Sequence, residues 1–199
     1  ESESRGLGDV YKRQQEAQGI AHFLEHMIFM GSKKYKSPNE YMEFITQNGG
    51  STNAFTAAEQ TTYLFSINNK KFAPALDRLS AAIMEPLFDG TMVEKEINAV
   101  NSEWLKNRQT DTFIQQRTFA LTGNPSHPRV KLGVGNKDTL GSNEEQLLSS
   151  LRDFHEKFYS ANLMKLVLVG SQSSKELAKL ARKYFSNIKN TKAERPVTV

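Results

Sequence analysis

Residues 19–32 read GIAHFLEHMIFMGS, and the fold has to be built around them. Ile20, Phe23, Leu24, Met27, Ile28, Phe29 and Met30 leave almost no wet face, which predicts a core helix over residues 17–30. Yet His22, Glu25 and His26 lie inside it. Burying two imidazoles and a carboxylate is costly unless they are satisfied. One way to satisfy them is a hydrogen-bonded core trio. The other is a metal ion. Positions i, i+3 and i+4 share one helix face, so His22 and His26 can reach one ion with Glu25 beside it. H-x-x-E-H is the inverted zincin spacing. Neutral imidazoles bind Zn2+ at little charge cost, and a third protein ligand leaves a fourth position for water. The ion acidifies that water, and a nearby carboxylate takes its proton as it attacks a carbonyl.

The third ligand must come from elsewhere, and with no cysteine in the chain it is a histidine or a carboxylate. Residues 91–108, TMVEKEINAVNSEWLKNR, predict a long helix. Glu96 and Glu103 are seven positions apart on it, on one side with Ala99 and Val100. Glu94 and Lys106 fall on the solvated side. Spacing does not choose between Glu96 and Glu103.

Working outward, Ser37-Pro38-Asn39-Glu40 has the form of a helix start, with Ser37 as cap, Pro38 at the first helical position and Glu40 three after the cap. That helix ends at Gly49-Gly50, where a left-handed cap is available. Residues 51–58 and 60–68 are rich in Thr, Phe and Tyr with partial alternation and predict an antiparallel pair. Residues 72–84 are amphipathic and Pro86 closes them. Thr91 to Glu94 has capping-box form, opening the long helix. Further helices are expected over 110–121, 142–159 and 173–185, a loop over 123–142, and a buried strand over 163–170. The fold class is α+β, with helices packed on a mostly antiparallel sheet.

The 199 residues suffice for one ordinary domain with a full core. Net charge is +4, from scattered lysines without clustered stacking aromatics, which argues against a nucleic-acid surface. No apolar run is long enough to span a bilayer, so no membrane partner is expected. Absence of cysteine suits cytoplasm and periplasm alike. Residues 9–14, DVYKRQ, resemble the in-frame translation of a sequencing-library adapter. Residues 1–14 are therefore set aside as non-native or disordered, residues 15–190 are taken as the domain, and residues 191–199 as the start of a linker to a further domain.

Beyond the pentapeptide, GIAHFLEHMIFMGSKKY, GGSTNAFTAAEQT, ALDRLSAAIMEPLFD, EINAVNSEW, GNPSHP and DFHEKFYSANLMK resemble, in order, segments of the pitrilysin–insulysin branch of the M16 metallopeptidases, with GNPSHP, DFHEKFYSANLMK and the RPVTV ending nearest the bacterial pitrilysins. The resemblance implies a zinc-dependent endopeptidase domain in which His22, His26 and Glu103 hold one Zn2+, Glu25 is the general base, and Glu96 orients a ligand histidine. It implies that Ser51, Thr52, Asn53, Ala54, Phe55 and Thr56 form a strand that pairs with substrate backbone. Asn53 and Ala54 would then lie nearest the metal, and Phe55 would line the site or sit in the core. His127 and His155 match no ligand position and are expected on loop and helix surface. The substrates implied are peptides or small unfolded polypeptides. Family members are longer, with strands before the H-x-x-E-H helix and a distal half that supplies Arg and Tyr groups. The expectation is thus a domain missing its first strands and its partner half, weakly active or inactive alone. Likeness to bacterial pitrilysin implies the periplasm, with the cytoplasm as alternative. The competing reading is a non-catalytic M16-like peptide-binding or scaffold subunit.

Overall fold

The computed structural model describes residues 17–125 and 127–194. The adapter-like residues 9–14 and the RPVTV ending lie outside the described residues. The elements are α1 (Ile20–Ile28), α2 (Glu40–Gln47), β1 (Ser51–Thr56), β2 (Thr61–Ser66), α3 (Phe72–Met84), α4 (Val93–Asn107), α5 (Asp111–Thr122), α6 (Lys137–Leu140), α7 (Glu144–Phe158) and α8 (Ser174–Phe185). Helices dominate, and the sheet among the described residues is the antiparallel hairpin β1–β2, in which Ser51 faces Ser66 and Thr56 faces Thr61.

The apolar stretch of α1 is the centre of the molecule. Phe23, Leu24, Met27 and Ile28 are fully buried, and they pack with Val93 and Val100 of α4, Leu147 and Leu151 of α7, and Phe88. Burying each such side chain contributes about 1.5–3 kcal/mol. A second cluster, Tyr41, Ile45, Ala75 and Leu79, lies where α2, α3 and the hairpin meet. Phe29 and Tyr63 touch both clusters, so the hairpin and α1 share one continuous interior.

Several helix starts fall elsewhere than the sequence suggests. The first helix begins at Ile20 rather than 17, because Gly19 sits at φ 96°, outside helical space. The Ser37 capping box does not form. Asn39 (φ 64°) precedes α2 without a side-chain cap, and the Glu40 carboxylate instead accepts from Arg78 Nε at 2.8 Å. That guanidinium stacks over Phe44 at 3.7 Å and Tyr35 at 4.5 Å, a planar contact that outcompetes a lone cap bond. Nor does Thr91 cap α4. Asp89 accepts from both the Thr91 amide (2.9 Å) and its hydroxyl (2.8 Å), making a short 3-10 turn over Gly90–Met92. Asn143, not Ser142, caps α7, and the 123–142 loop contains the one-turn helix α6. The expected Gly49-Gly50 stop does form. Gly49 is left-handed (φ 71°), its amide reaches Thr46 O, and the Gly50 amide reaches Ile45 O at 2.9 Å, a Schellman ending.

One element is corrected outright. Residues 163–170 were expected as a buried strand. After a 3-10 turn (Ala161–Leu163) they form no regular element and pair with no strand among the described residues. Val167 and Val169 are 81% and 84% exposed. The β-propensity of MKLVLVG is real, but a strand forms only where a neighbour supplies its ladder.

Candidate metal centre

α1 and α4 lie against each other, and their polar residues meet at the contact. From the first turn of α1, His22 Nε2 lies 3.3 Å from Glu103 Oε2. One turn later, His26 Nε2 lies 3.6 Å from Glu103 Oε1. The two rings are edge to face, with centroids 4.9 Å apart. One ligand atom from each of His22, His26 and Glu103 can be chosen so that all three lie within 4.8 Å of one another. Two imidazoles and a carboxylate are the donor chemistry of tetrahedral Zn2+, whose bonds of about 2.0–2.2 Å set donor atoms roughly 3.3–3.6 Å apart. Each Nε2 lies at such a distance from one Glu103 oxygen, while the three-atom set as a whole spans up to 4.8 Å.

Each imidazole is held from behind through its other nitrogen. His26 Nδ1 lies 3.1 Å from Glu96 Oε2, and Glu96 is 5% exposed. His22 Nδ1 lies 2.8 Å from the Val134 carbonyl. With both Nδ1 atoms so engaged, both Nε2 atoms face Glu103. Burial pulls the His26 imidazole down, but the Glu96 hydrogen bond and the charges of Glu103, Glu96 and Glu25 outweigh it and hold the ring above its ordinary value. Glu96 and Glu103, indistinguishable by spacing, are distinct here. Glu103 is half exposed and meets both Nε2 atoms, whereas Glu96 is buried behind His26 alone.

Glu25 is 7% exposed and points towards the hairpin, where Thr56 Oγ1 donates to Glu25 Oε2 at 2.5 Å. Behind it, Tyr63 of β2 and Tyr159 at the end of α7 join hydroxyls at 2.6 Å. Burial pushes both phenols up, and the Glu25 charge adds to the effect.

Of the six residues expected on a substrate strand, Ser51, Asn53 and Phe55 face solvent, and Phe55 is 45% exposed, so it is not core. Thr52, Ala54 and Thr56 face inward. Thr52 bonds the Tyr41 hydroxyl and Leu64 O, and Thr56 bonds Glu25. One edge of β1 pairs with β2, and no strand among the described residues occupies the other. His127 lies in a loop and accepts from the Arg129 amide. His155 is not a surface residue. Its Nε2 donates to Ile83 O at 2.7 Å and its ring stacks on Tyr159, because Phe88 and Tyr159 close over it. The Val134 carbonyl, the Thr56 hydroxyl and the Tyr63–Tyr159 pair were not found from sequence. Backbone carbonyls carry no residue signature, and a threonine or tyrosine in a strand reads simply as strand.

Residues 8–126 match the family described as Insulinase (Peptidase family M16), and residues 147–199 match the Peptidase M16 inactive domain. The chain is 40% identical over 182 residues to human insulin-degrading enzyme, covering 89% of this chain and 18% of that protein. It is 42% identical over 180 residues to Protease 3 of Escherichia coli K12, covering 90% of this chain and 19% of that one. The crystal structure of pitrilysin superposes with a TM-score of 0.89 at 42% identity, over 93% of this chain and 20% of that chain. The chain therefore spans about a fifth of the length of these relatives. No helix among the described residues is long and apolar enough to cross a membrane. With a family model matched over more than half its length, and with a helix-rich fold that superposes on pitrilysin, the chain belongs to the insulinase family of peptidases, M16.

Proposed function

We propose that this chain is the zinc-bearing part of an endopeptidase, with His22, His26 and Glu103 holding one Zn2+ and Glu25 acting as general base on the attacking water. The observation that carries the reading is the convergence of both Nε2 atoms on the Glu103 carboxylate, with Glu25 one residue before His26. When bound there, Zn2+ supplies a Lewis acid and lowers the pKa of water at its open position. The chain's own residues do the rest. Glu96 orients His26 and raises its basicity as a ligand. Thr56 fixes one oxygen of Glu25, leaving the other to take a proton. The edge of β1 that no strand among the described residues occupies, with Asn53 and Phe55 outward, receives an extended peptide by strand addition, so that main-chain hydrogen bonds place the scissile carbonyl.

Residues 15–190 act as this zinc-binding unit. The substrates are peptides and small unfolded polypeptides. On its own the chain is weakly active or inactive, because the Arg and Tyr groups that stabilise the tetrahedral intermediate in the resembling family come from a distal half.

The experiment pairs elemental analysis with cleavage of a quenched fluorescent peptide. His22→Ala or Glu103→Gln abolishes stoichiometric zinc. Glu25→Gln keeps the zinc and removes whatever cleavage the parent shows. Cleavage undiminished in Glu25→Gln would refute the base assignment. A parent that binds zinc and peptide but never cleaves, even when joined to its longer sequence, would favour the alternative of a non-catalytic peptide-binding or scaffold subunit.

A further inference from the structure

We propose that the turn at residues 133–135 is a positioning element for His22, a strap whose backbone fixes the tautomer of that imidazole and whose grip depends on Gly19 touching Gly135. The metal half of the proposal rests on the zinc reading above, whereas the tautomer half does not.

A carbonyl oxygen only accepts. With Val134 O at 2.8 Å, His22 Nδ1 must be the N–H donor in the neutral ring. The lone pair is then left on Nε2, the atom that faces Glu103. An unconstrained neutral histidine prefers the opposite tautomer, so the carbonyl selects the form that can ligate. His26 is held differently, by a carboxylate. The pair of imidazoles thus has one charged support and one neutral support.

The strap reaches His22 only because two left-handed glycines lie back to back. Gly19, at φ 96°, opens α1, and a Cβ there would lie 2.3 Å from Gly135 Cα and 2.6 Å from Gly135 N. Gly135 has φ 72°, and its own Cβ would lie 3.0 Å from Gly19 Cα and from Gln18 O. No side chain fits between them. Three bonds tie the strap down. The Leu132 amide donates to Gln18 Oε1 at 2.7 Å, Thr139 Oγ1 donates to Gln18 O at 2.9 Å, and the Lys137 amide donates to Asn101 Oδ1 at 3.2 Å. Gln18 immediately precedes the first ligand helix, and Asn101 lies on α4 between Glu96 and Glu103. The strap therefore bridges both helices that carry the candidate ligands and sets their approach.

The test uses the 199-residue chain. Long-range proton–nitrogen NMR of the metal-free chain at neutral pH reads the ring tautomers, and chelator competition reads Zn2+ affinity. The expected result is a proton on His22 Nδ1, held on Val134 O. Gly19→Ala wedges the strap away, mixes the tautomers and lowers Zn2+ affinity by about 10–100-fold, the range for lost support behind a ligand. Gln18→Ala, which leaves the helix start unstrained, moves both readouts the same way by less, and stands as the test if Gly19→Ala does not fold. A wild-type His22 with no proton on Nδ1 overturns the proposal. So does unchanged Zn2+ affinity in folded Gly19→Ala or, failing that variant, in Gln18→Ala. His22→Ala separates the two readings: if it leaves Zn2+ binding intact, the metal-centre assignment fails while the tautomer result still decides the strap.

Discussion

The Tyr63–Tyr159 contact yields a prediction whose size can be worked out. The two hydroxyls lie 2.6 Å apart, with ring centroids at 6.5 Å, and join β2 to the end of α7. Burial holds both phenols above their ordinary range, so neither is replaced by water at small cost. His155, stacked on the Tyr159 ring, already spends its Nε2 hydrogen on Ile83 O. Tyr63→Phe thus strands the Tyr159 hydroxyl, and Tyr159→Phe strands that of Tyr63. Each single change should cost about 1–3 kcal/mol, the penalty of an unsatisfied buried hydroxyl. The double change removes both groups together and leaves two rings of the same shape, so it should cost less than the sum and approach neutrality. The coupling in a double-mutant cycle then approaches the sum of the two single costs, about 2–6 kcal/mol. Urea unfolding with a shared m-value measures it, and at this chain length a kcal/mol corresponds to roughly 2–4 °C in Tm. Single variants within about 0.5 kcal/mol of wild type, or a double variant as costly as the two singles added, would refute the buried pair.

Three further predictions concern the core and its ionisable groups. Glu96→Gln keeps a hydrogen-bond acceptor behind His26 but removes the charge, and should weaken Zn2+ binding about 10–100-fold, roughly 1.4–2.7 kcal/mol, by chelator competition. Phe23→Ala empties the centre of the α1 core, where Phe23 is 0% exposed, and should cost about 3–5 kcal/mol by denaturant unfolding. Burial holds His155 below its ordinary value, so on acidification through about pH 6.5 the unfolded chain takes up a proton that the folded chain refuses. That component of stability is present at higher pH and lost as pH falls towards the folded pKa. His155→Gln should show a smaller loss between pH 7.5 and 5.5 than wild type, and equal losses would show that His155 does not titrate in this window.

How much of this could be read from residues alone depended on how local the cause was. Helix α8 starts within a residue of where the sequence places it, because the Ser173–Glu176 capping box that starts it has every partner within four residues. The Ser37 box has the same form and fails, because Arg78, 38 residues from Glu40, competes for the carboxylate. Residues 163–170 have strand composition, but composition cannot supply a neighbour to pair with. At the candidate centre, His22 and His26 lie one helical turn apart, so their place on one face was legible. The division of Glu96 and Glu103 between the two nitrogens of His26 was not, since it depends on how α4 is rotated against α1. The Val134 carbonyl lay beyond any reading of side chains.

The groups that converge on the His22–His26 face come from distant parts of the chain, with Glu96 70 positions from His26 and Val134 112 positions from His22. An ion held there is a removable cross-link that closes a long loop. Such an ion would bind the folded chain far better than the unfolded one, so a hundredfold excess over its dissociation constant would add about 2.7 kcal/mol to folding. Metal supply and chain integrity are then a single equilibrium: a chelator acts as a mild denaturant, and every substitution that loosens the fold registers as a weaker grip on the ion.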